Sequence, residues 1–134
     1  MTQPTTMTIN YEPPRSLCPI ATALDIVGDK WTLVIIRDML GGKSKFSEFL
    51  ESPEGIKKNI LNERLKRLVA LDLIQRRQYE ERPPRFEYLL TQAGADFLPV
   101  LQTLAKWSHQ HVQGLWTPSD RFLTQKIPAI SNTD

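Results

Sequence analysis

The sequence predicts an α+β fold, mainly helical, and three stretches carry that prediction. In residues 55–73 (GIKKNILNERLKRLVALDL), Ile56, Ile60, Leu61, Leu65, Leu68 and Leu71 recur at spacings that 100° per residue gathers on one side of a helix. Downstream, residues 73–79 (LIQRRQY) and 85–91 (RFEYLLT) are rich in aromatic and aliphatic residues. They read as two strands joined by Glu80-Glu81-Arg82-Pro83-Pro84, a hairpin with a basic, proline-stiffened tip. Upstream, residues 44–51 read as a short helix with Phe46, Phe49 and Leu50 inward, followed by a turn at Ser52-Pro53-Glu54-Gly55. Short helix, turn, longer helix with a polar outer face and then a basic hairpin is the order of a winged helix-turn-helix.

Taken in order, residues 1–16 show no periodicity and predict a mobile arm. Pro19 suits a first helical turn, and Ile20, Ala23, Leu24 and Val27 form an apolar face that ends at Gly28. A second helix, with Asp29 as its N-cap, runs through Trp31, Val34, Ile35 and Met39 to Leu40 and stops at Gly41-Gly42. Trp31 reads as a core anchor. Arg37 and Asp38 on so apolar a helix call for ionic partners on the next helices, Arg64 among them, since its projection falls on the core side. Asp72 stands where a glycine would more readily end the long helix, although Asp tolerates left-handed backbone better than most residues.

After the hairpin, Thr91 caps a last helix from Gln92 to about Val112, which Pro99 should kink or divide near Leu98. Phe97, Leu98, Val100, Leu101, Leu104, Ala105 and Trp107 leave little of it polar. A helix apolar around so much of its girth needs two partners, its own domain and a second subunit. The expected organisation is therefore an arm over residues 1–16, one domain over 17–112 with dimerisation helices at both ends, and a tail over 113–134 lying loosely on the dimer.

At 134 residues the chain holds a single core. It has no apolar run of transmembrane length and no signal segment, so a cytoplasmic, nucleoid-associated protein without a membrane partner is expected. A net charge of +2 argues little, but its distribution argues more. Residues 30–85 hold 13 Lys and Arg against 8 Asp and Glu, and the rest of the chain holds 4 against 7. Positive charge is thus gathered on the proposed reading module, as counterion release from DNA requires.

The wording of these segments resembles the HxlR-type transcriptional regulators. The resemblance rests on Cys18-Pro19-Ile20, Gly28-Asp29-Lys30-Trp31-Thr32, Ile36-Arg37-Asp38, Phe46-Ser47-Glu48-Phe49 and Gly55-Ile56 with residues 59–65 (NILNERL). It continues through Leu73-Ile74, Arg82-Pro83-Pro84-Arg85, Glu87-Tyr88 and Leu90-Thr91 before Gly94, and so covers residues 17–111. It implies a dimeric bacterial DNA-binding protein that represses or activates nearby genes. Where that family carries a glycine before its Leu-Ile, this chain has Asp72.

In a helix-turn-helix the N-terminal residues of the second helix reach the bases, which nominates Lys57, Lys58, Asn59 and Asn62. Asn pairs bidentately with adenine and Lys with guanine, while Lys66 and Arg67, further along, suit phosphate. In the wing, Arg82 lies nearest the tip, flanked by Arg76, Arg77 and Arg85. Against this stands the ordinary solvated helix face, and Glu80 and Glu81 weaken the wing's charge. Cys18, at a helix N-terminus near Arg15, is a candidate redox sensor, as a matching cysteine is in some members of the resembled family; the alternative is a buried, inert thiol. With one cysteine, sensing would require an inter-subunit disulfide or an adduct.

His109 and His111, two apart, point to different helix faces and do not share a metal. No phosphate loop or catalytic order is present, so neither cofactor nor enzymatic activity is expected. The sequence therefore predicts a homodimeric regulator, in the first instance a repressor, of a pseudo-palindromic double-stranded operator, relieved by an unidentified small-molecule or oxidant inducer. Two rivals are a winged-helix protein-interaction module without DNA binding and an enzyme with Cys18 as nucleophile and His109 or His111 as base.

Overall fold

Apolar periodicity turns into two layers in the computed structural model, which describes residues 9, 11 and 13–131. The elements are α1 (Pro19–Val27), α2 (Thr32–Leu40), α3 (Phe46–Phe49), α4 (Lys58–Ala70), β1 (Ile74–Glu81), β2 (Pro84–Leu90), α5 (Gln92–Ala95), α6 (Leu98–His111) and α7 (Asp120–Leu123). Helices α2, α3 and α4 enclose a core of Ile35, Met39, Phe49, Leu61, Leu65 and Leu68, closed beneath by Leu73 and Ile74. Each of these fully buried side chains contributes about 1.5–3 kcal/mol. A mixed, mainly helical fold with a two-stranded wing is what the sequence predicts, and its order of elements is that of a winged helix-turn-helix.

Boundaries move where capping overrides periodicity. The long helix begins at Lys58, with Lys57 at its N-cap, so Ile56 reaches the core from the preceding turn, where Gly55 has φ 71°. At the other end Asp72 adopts φ 62°. Its N–H donates to Val69 O (3.0 Å) and that of Leu73 to Leu68 O (3.0 Å), closing the helix with a left-handed C′ residue usually supplied by glycine. The hydroxyl of Thr91 then donates to Asp72 O at 2.8 Å, fastening this turn beneath the wing. Gly94 meets the same turn so closely that a Cβ there would lie 2.2 Å from Leu73 O.

The strands run further toward the tip than their composition suggests, leaving only Arg82 and Pro83 between them. Arg76 stands opposite Tyr88 and Arg77 opposite Glu87, and the register slips between Gln78 and Glu80, so Tyr79 is the extra residue of a bulge. The outer edge of β2 receives one bond from the loop after α2, with Tyr88 N–H donating to Ser44 O at 2.7 Å.

Pro99 does divide the last helix: Thr91 caps α5 through its Oγ1, and α6 starts afresh with Pro99 in its first turn, where the missing N–H costs nothing. Residues 113–131 differ from the loose tail expected on a dimer, because they fasten to their own domain. Gln102 Nε2 donates to Phe122 O and Gln125 O, both at 2.9 Å, and Gln125 Nε2 reaches Leu40 O at 3.4 Å. Gln92 donates to Pro128 O and accepts from Ile130 N–H. The arm predicted over residues 1–16 falls mostly outside the described residues; of those described, Ile9 packs against the core.

Candidate nucleic-acid interface

The outer face of α4 is built by subtraction. Once Leu61, Leu65 and Leu68 are turned inward, 100° per residue leaves Lys58, Asn59, Asn62 and Lys66 exposed, with Lys57 exposed at the tip. None of these five side chains has a hydrogen-bond or ion-pair partner among the described residues. They form an unspent row of cations and amides.

The other arginines of α4 are spent inside the protein. Arg64 Nε donates to Asp29 Oδ2 at 2.9 Å, and its Nη1 meets Glu63 at 2.7 Å. The partner of Arg64 is therefore Asp29 of the α1–α2 turn and not the Arg37–Asp38 pair. Arg37 instead joins Asp38 (2.9 Å) and Glu54 (2.8 Å), tying α2 to the turn before α4, while Ser52 Oγ donates to Asp38. Asp29 also accepts from the N–H groups of Trp31 and Thr32 and from Thr32 Oγ1, so it caps α2 while it anchors α4. Burial pushes its carboxyl pKa up, but the hydrogen bonds from Thr32, Arg64 and the two backbone groups outweigh that and lower it to about 2.

Arg67, nominated for phosphate, is placed otherwise. Its Nη1 and Nη2 donate to Ile26 O (2.7 Å) and Asp25 O (2.8 Å), carbonyls at the C-terminal end of α1, where the helix dipole favours a cation. The outward arc thus loses one candidate to the inward side, because a long side chain at the edge of a helix face reaches either way.

In the wing, Arg76 lies over the Phe86 ring, its guanidinium carbon 4.2 Å from the centroid, and Arg77 pairs with Glu87 at 2.7 Å. Arg85 meets Glu80 at 3.4 Å, whereas Arg82 at the turn has no ion pair among the described residues. A cation that sequence reasoning passed over joins them: Lys45, exposed at the N-cap of α3, places Nζ 4.9 Å from the centroid of Tyr79. The only sequence signal for it was its place just before Phe46, at the mouth of the first helix of the motif.

Cys18 is exposed at the N-cap of α1, not buried. The cation expected beside it is committed elsewhere, since Arg15 pairs with Asp25 at 2.9 Å. His109 and His111 are exposed, the former 3.4 Å from Thr117 Oγ1 and the latter 5.1 Å from Trp107, ring to ring. Among the described residues no cluster of three or more His, Cys, Asp or Glu could hold a metal, and no helix is long and apolar enough to cross a membrane.

Two apolar stripes stay uncovered. Leu17, just before α1, and Ile20 and Leu24 along it are 92%, 72% and 58% exposed. Val100, Leu104 and Trp107, at i, i+4 and i+7 on α6, are also open to solvent.

Comparison with known proteins places these features in one group. The family model described as HxlR-like helix-turn-helix matches residues 26–115. The uncharacterized HTH-type transcriptional regulator YybR of Bacillus subtilis is 30% identical over 102 residues, covering 76% of this chain and 82% of that protein. An uncharacterized HTH-type transcriptional regulator of Methanothermobacter thermautotrophicus is 35% identical over 107 residues, with the same coverages of 76% and 82%. Among solved structures, the redox regulator HypR in its oxidized form superposes with a TM-score of 0.65 at 30% identity, covering 72% of this chain and 100% of that one. The reduced transcriptional regulator YodB from B. subtilis gives 0.61 at 29% identity, with coverages of 73% and 97%. The relatives named are transcriptional regulators, not enzymes.

Proposed function

The chain belongs to the HxlR-like helix-turn-helix family of transcriptional regulators, and from that premise we propose that it binds double-stranded DNA as a homodimer at a pseudo-palindromic operator and represses a nearby gene. The observation that carries the reading is the contrast on α4. Lys57, Lys58, Asn59, Asn62 and Lys66 point outward without partners among the described residues, while Arg64 and Arg67 hold the helix to the α1 end of the domain. Unpaired amides and cations at the N-terminal half of such a helix suit base edges in a major groove, and Lys66 suits phosphate. Arg82 at the wing tip, with Arg76, Arg77 and Arg85 behind it and Lys45 alongside, suits the backbone or a minor groove.

The second copy is argued from the bare stripes on α1 and α6, since contiguous apolar surface at both ends of one domain is costly in water. A twofold pair would set the two copies of α4 about 34 Å apart, one turn of the duplex. A rival module that docks protein through α4 would favour an apolar centre on that face, and Val69, 38% exposed, is the one large apolar side chain among Lys57, Lys58, Asn59, Asn62 and Lys66 there.

The test is fluorescence anisotropy on a duplex selected from genomic fragments and on a random one. Asn62→Ala loses about 1–3 kcal/mol on the selected duplex only, while Arg82→Ala weakens both and lowers the salt slope by about 1. Equal effects of both substitutions on both duplexes overturn the assignment.

A redox response is the finer part of the proposal, favoured by the exposure of Cys18 and by the likeness to HypR. Oxidation would join two copies through Cys18 or leave an adduct there. Operator affinity of wild type falls or rises on diamide treatment and that of Cys18→Ser does not; an unchanged oxidant response in that variant refutes it.

A further inference from the structure

A cleft of about 790 Å³ opens between the end of α2, the wing and residues 125–131. Leu40, Leu89, Pro128 and Ile130 give it apolar walls, and Lys43 and Arg77 give it two cations, with no Asp or Glu in the lining among the described residues; Arg76 borders it too, but its guanidinium lies over Phe86 on the other face of the wing. The strand register puts Leu89 opposite Gln75 and Arg77 opposite Glu87, on the face of the wing turned away from buried Ile74. Glu87 compensates Arg77, whose Nη1 still makes no hydrogen bond among the described residues, so Lys43, whose Nζ donates to Ser52 Oγ at 3.3 Å and meets no carboxylate in an ion pair among the described residues, leaves the local balance positive.

The C-terminal run is held across this face by polar fastenings and not by collapse onto it. Gln125 holds Leu40 O (3.4 Å), Gln92 Nε2 holds Pro128 O (3.0 Å), and Ile130 N–H is held by Gln92 Oε1 (2.9 Å). These bonds bracket the gap at both ends and keep its apolar walls apart. A molecule that filled the gap would recover about 25 cal/mol for each Å² of apolar surface it covers. The volume lies within the roughly 300–1,000 Å³ of small-molecule sites.

We propose that this cleft is an effector site for a small amphipathic anion, an aromatic or branched apolar body bearing one carboxylate or sulfonate. The body lies between Leu40, Leu89 and Ile130, and the anion faces Lys43 and Arg77. Because Arg77 also belongs to the wing, an occupied cleft draws on a cation that duplex DNA uses and weakens DNA binding; this consequence rests on the reading of the wing given above, whereas the site itself does not.

The probes are 8-anilinonaphthalene-1-sulfonate and its uncharged counterpart N-phenyl-1-naphthylamine, titrated into the full chain without DNA. The anion binds saturably, one per chain, and about tenfold more weakly to Lys43→Gln and to Arg77→Gln. The neutral probe binds more weakly than the anion and is indifferent to both substitutions. Ile130→Asp weakens both probes. Amide chemical shifts on the unmodified protein locate the anion, and they must centre on Leu40, Leu89 and Ile130.

Shifts centred on Leu104 and Trp107, equal binding of the neutral probe, or unchanged affinity in Lys43→Gln and Arg77→Gln overturn the site. Saturating anion raises the Kd for duplex DNA at least about threefold, since the shared Arg77 carries part of the phosphate binding. An unchanged Kd overturns the effector role. A chain that takes up the anion at these residues but binds no duplex overturns the DNA reading instead.

Discussion

Replacing Asp29 by Asn tests the joint that fixes α4 in the domain. The Asp29 carboxylate accepts from Trp31 N, Thr32 N, Thr32 Oγ1 and Arg64 Nε, so it caps α2 and holds α4 at once. An amide in its place keeps a cap acceptor but loses the charge that Arg64 meets. The carboxyl pKa falls from 3.8 to about 2 on folding. At about 1.4 kcal/mol per unit that corresponds to about 2.5 kcal/mol. The side chains of Arg64 and Asp29 keep 21% and 27% of their surface in solvent, and screening reduces the figure to about 1–2 kcal/mol.

A carboxyl whose pKa is depressed by folding stabilises the protein above its unfolded value, and that stability is lost as pH falls from about 4 toward about 2. Urea denaturation followed by tryptophan fluorescence should therefore show Asp29→Asn less stable by about 1–2 kcal/mol at pH 7, with the gap closing between pH 4 and pH 2. Glu48, lowered by the Ser44 and Lys45 N–H groups, and Glu54, lowered by Arg37, behave alike in both proteins and cancel in the difference. A gap of the same size at pH 7 and pH 2.5 would refute the account, since it would mean that the charge contributes nothing.

Three further substitutions probe other joints. Arg67→Met should lower stability by about 1–3 kcal/mol by leaving the carbonyls of Asp25 and Ile26 unpaired; a loss of DNA affinity at unchanged stability would restore Arg67 to the phosphate contacts. Asp72→Gly should stabilise the protein by about 0.5–1 kcal/mol, because φ 62° strains a residue with a Cβ; a lower Tm would show that the Asp72 side chain contributes more than its backbone costs. Leu104→Asp, on a position 47% exposed in the single chain, should leave the monomer folded by circular dichroism and shift sedimentation from dimer to monomer. A monomeric wild type would remove the basis of that prediction.

Which parts of this were legible in the sequence follows from the range of the forces involved. The leucines of α4, the division at Pro99 and the cap at Thr91 are local effects of backbone geometry, and each is found where the sequence predicts it. The start of α4 at Lys58 is local too, but Ile56, read with the helix's apolar side, obeys the core's demand for an apolar side chain whether or not its own backbone is helical.

Sequence alone determined the winged helix-turn-helix order, the apolar core and the polar outer arc of α4, because periodicity says toward which side a residue points. It could not say which groups long side chains meet there. Arg64 on Asp29, Arg67 on the end of α1 and Arg37 on Glu54 were decided by where the helices lie in space. The C-terminal run was decided the same way: it has no period to read, and glutamines hold it to carbonyls that any residue could have supplied. Contacts to the backbone leave no trace in the identity of the residue that accepts them, so only the folded chain shows the cleft they hold open.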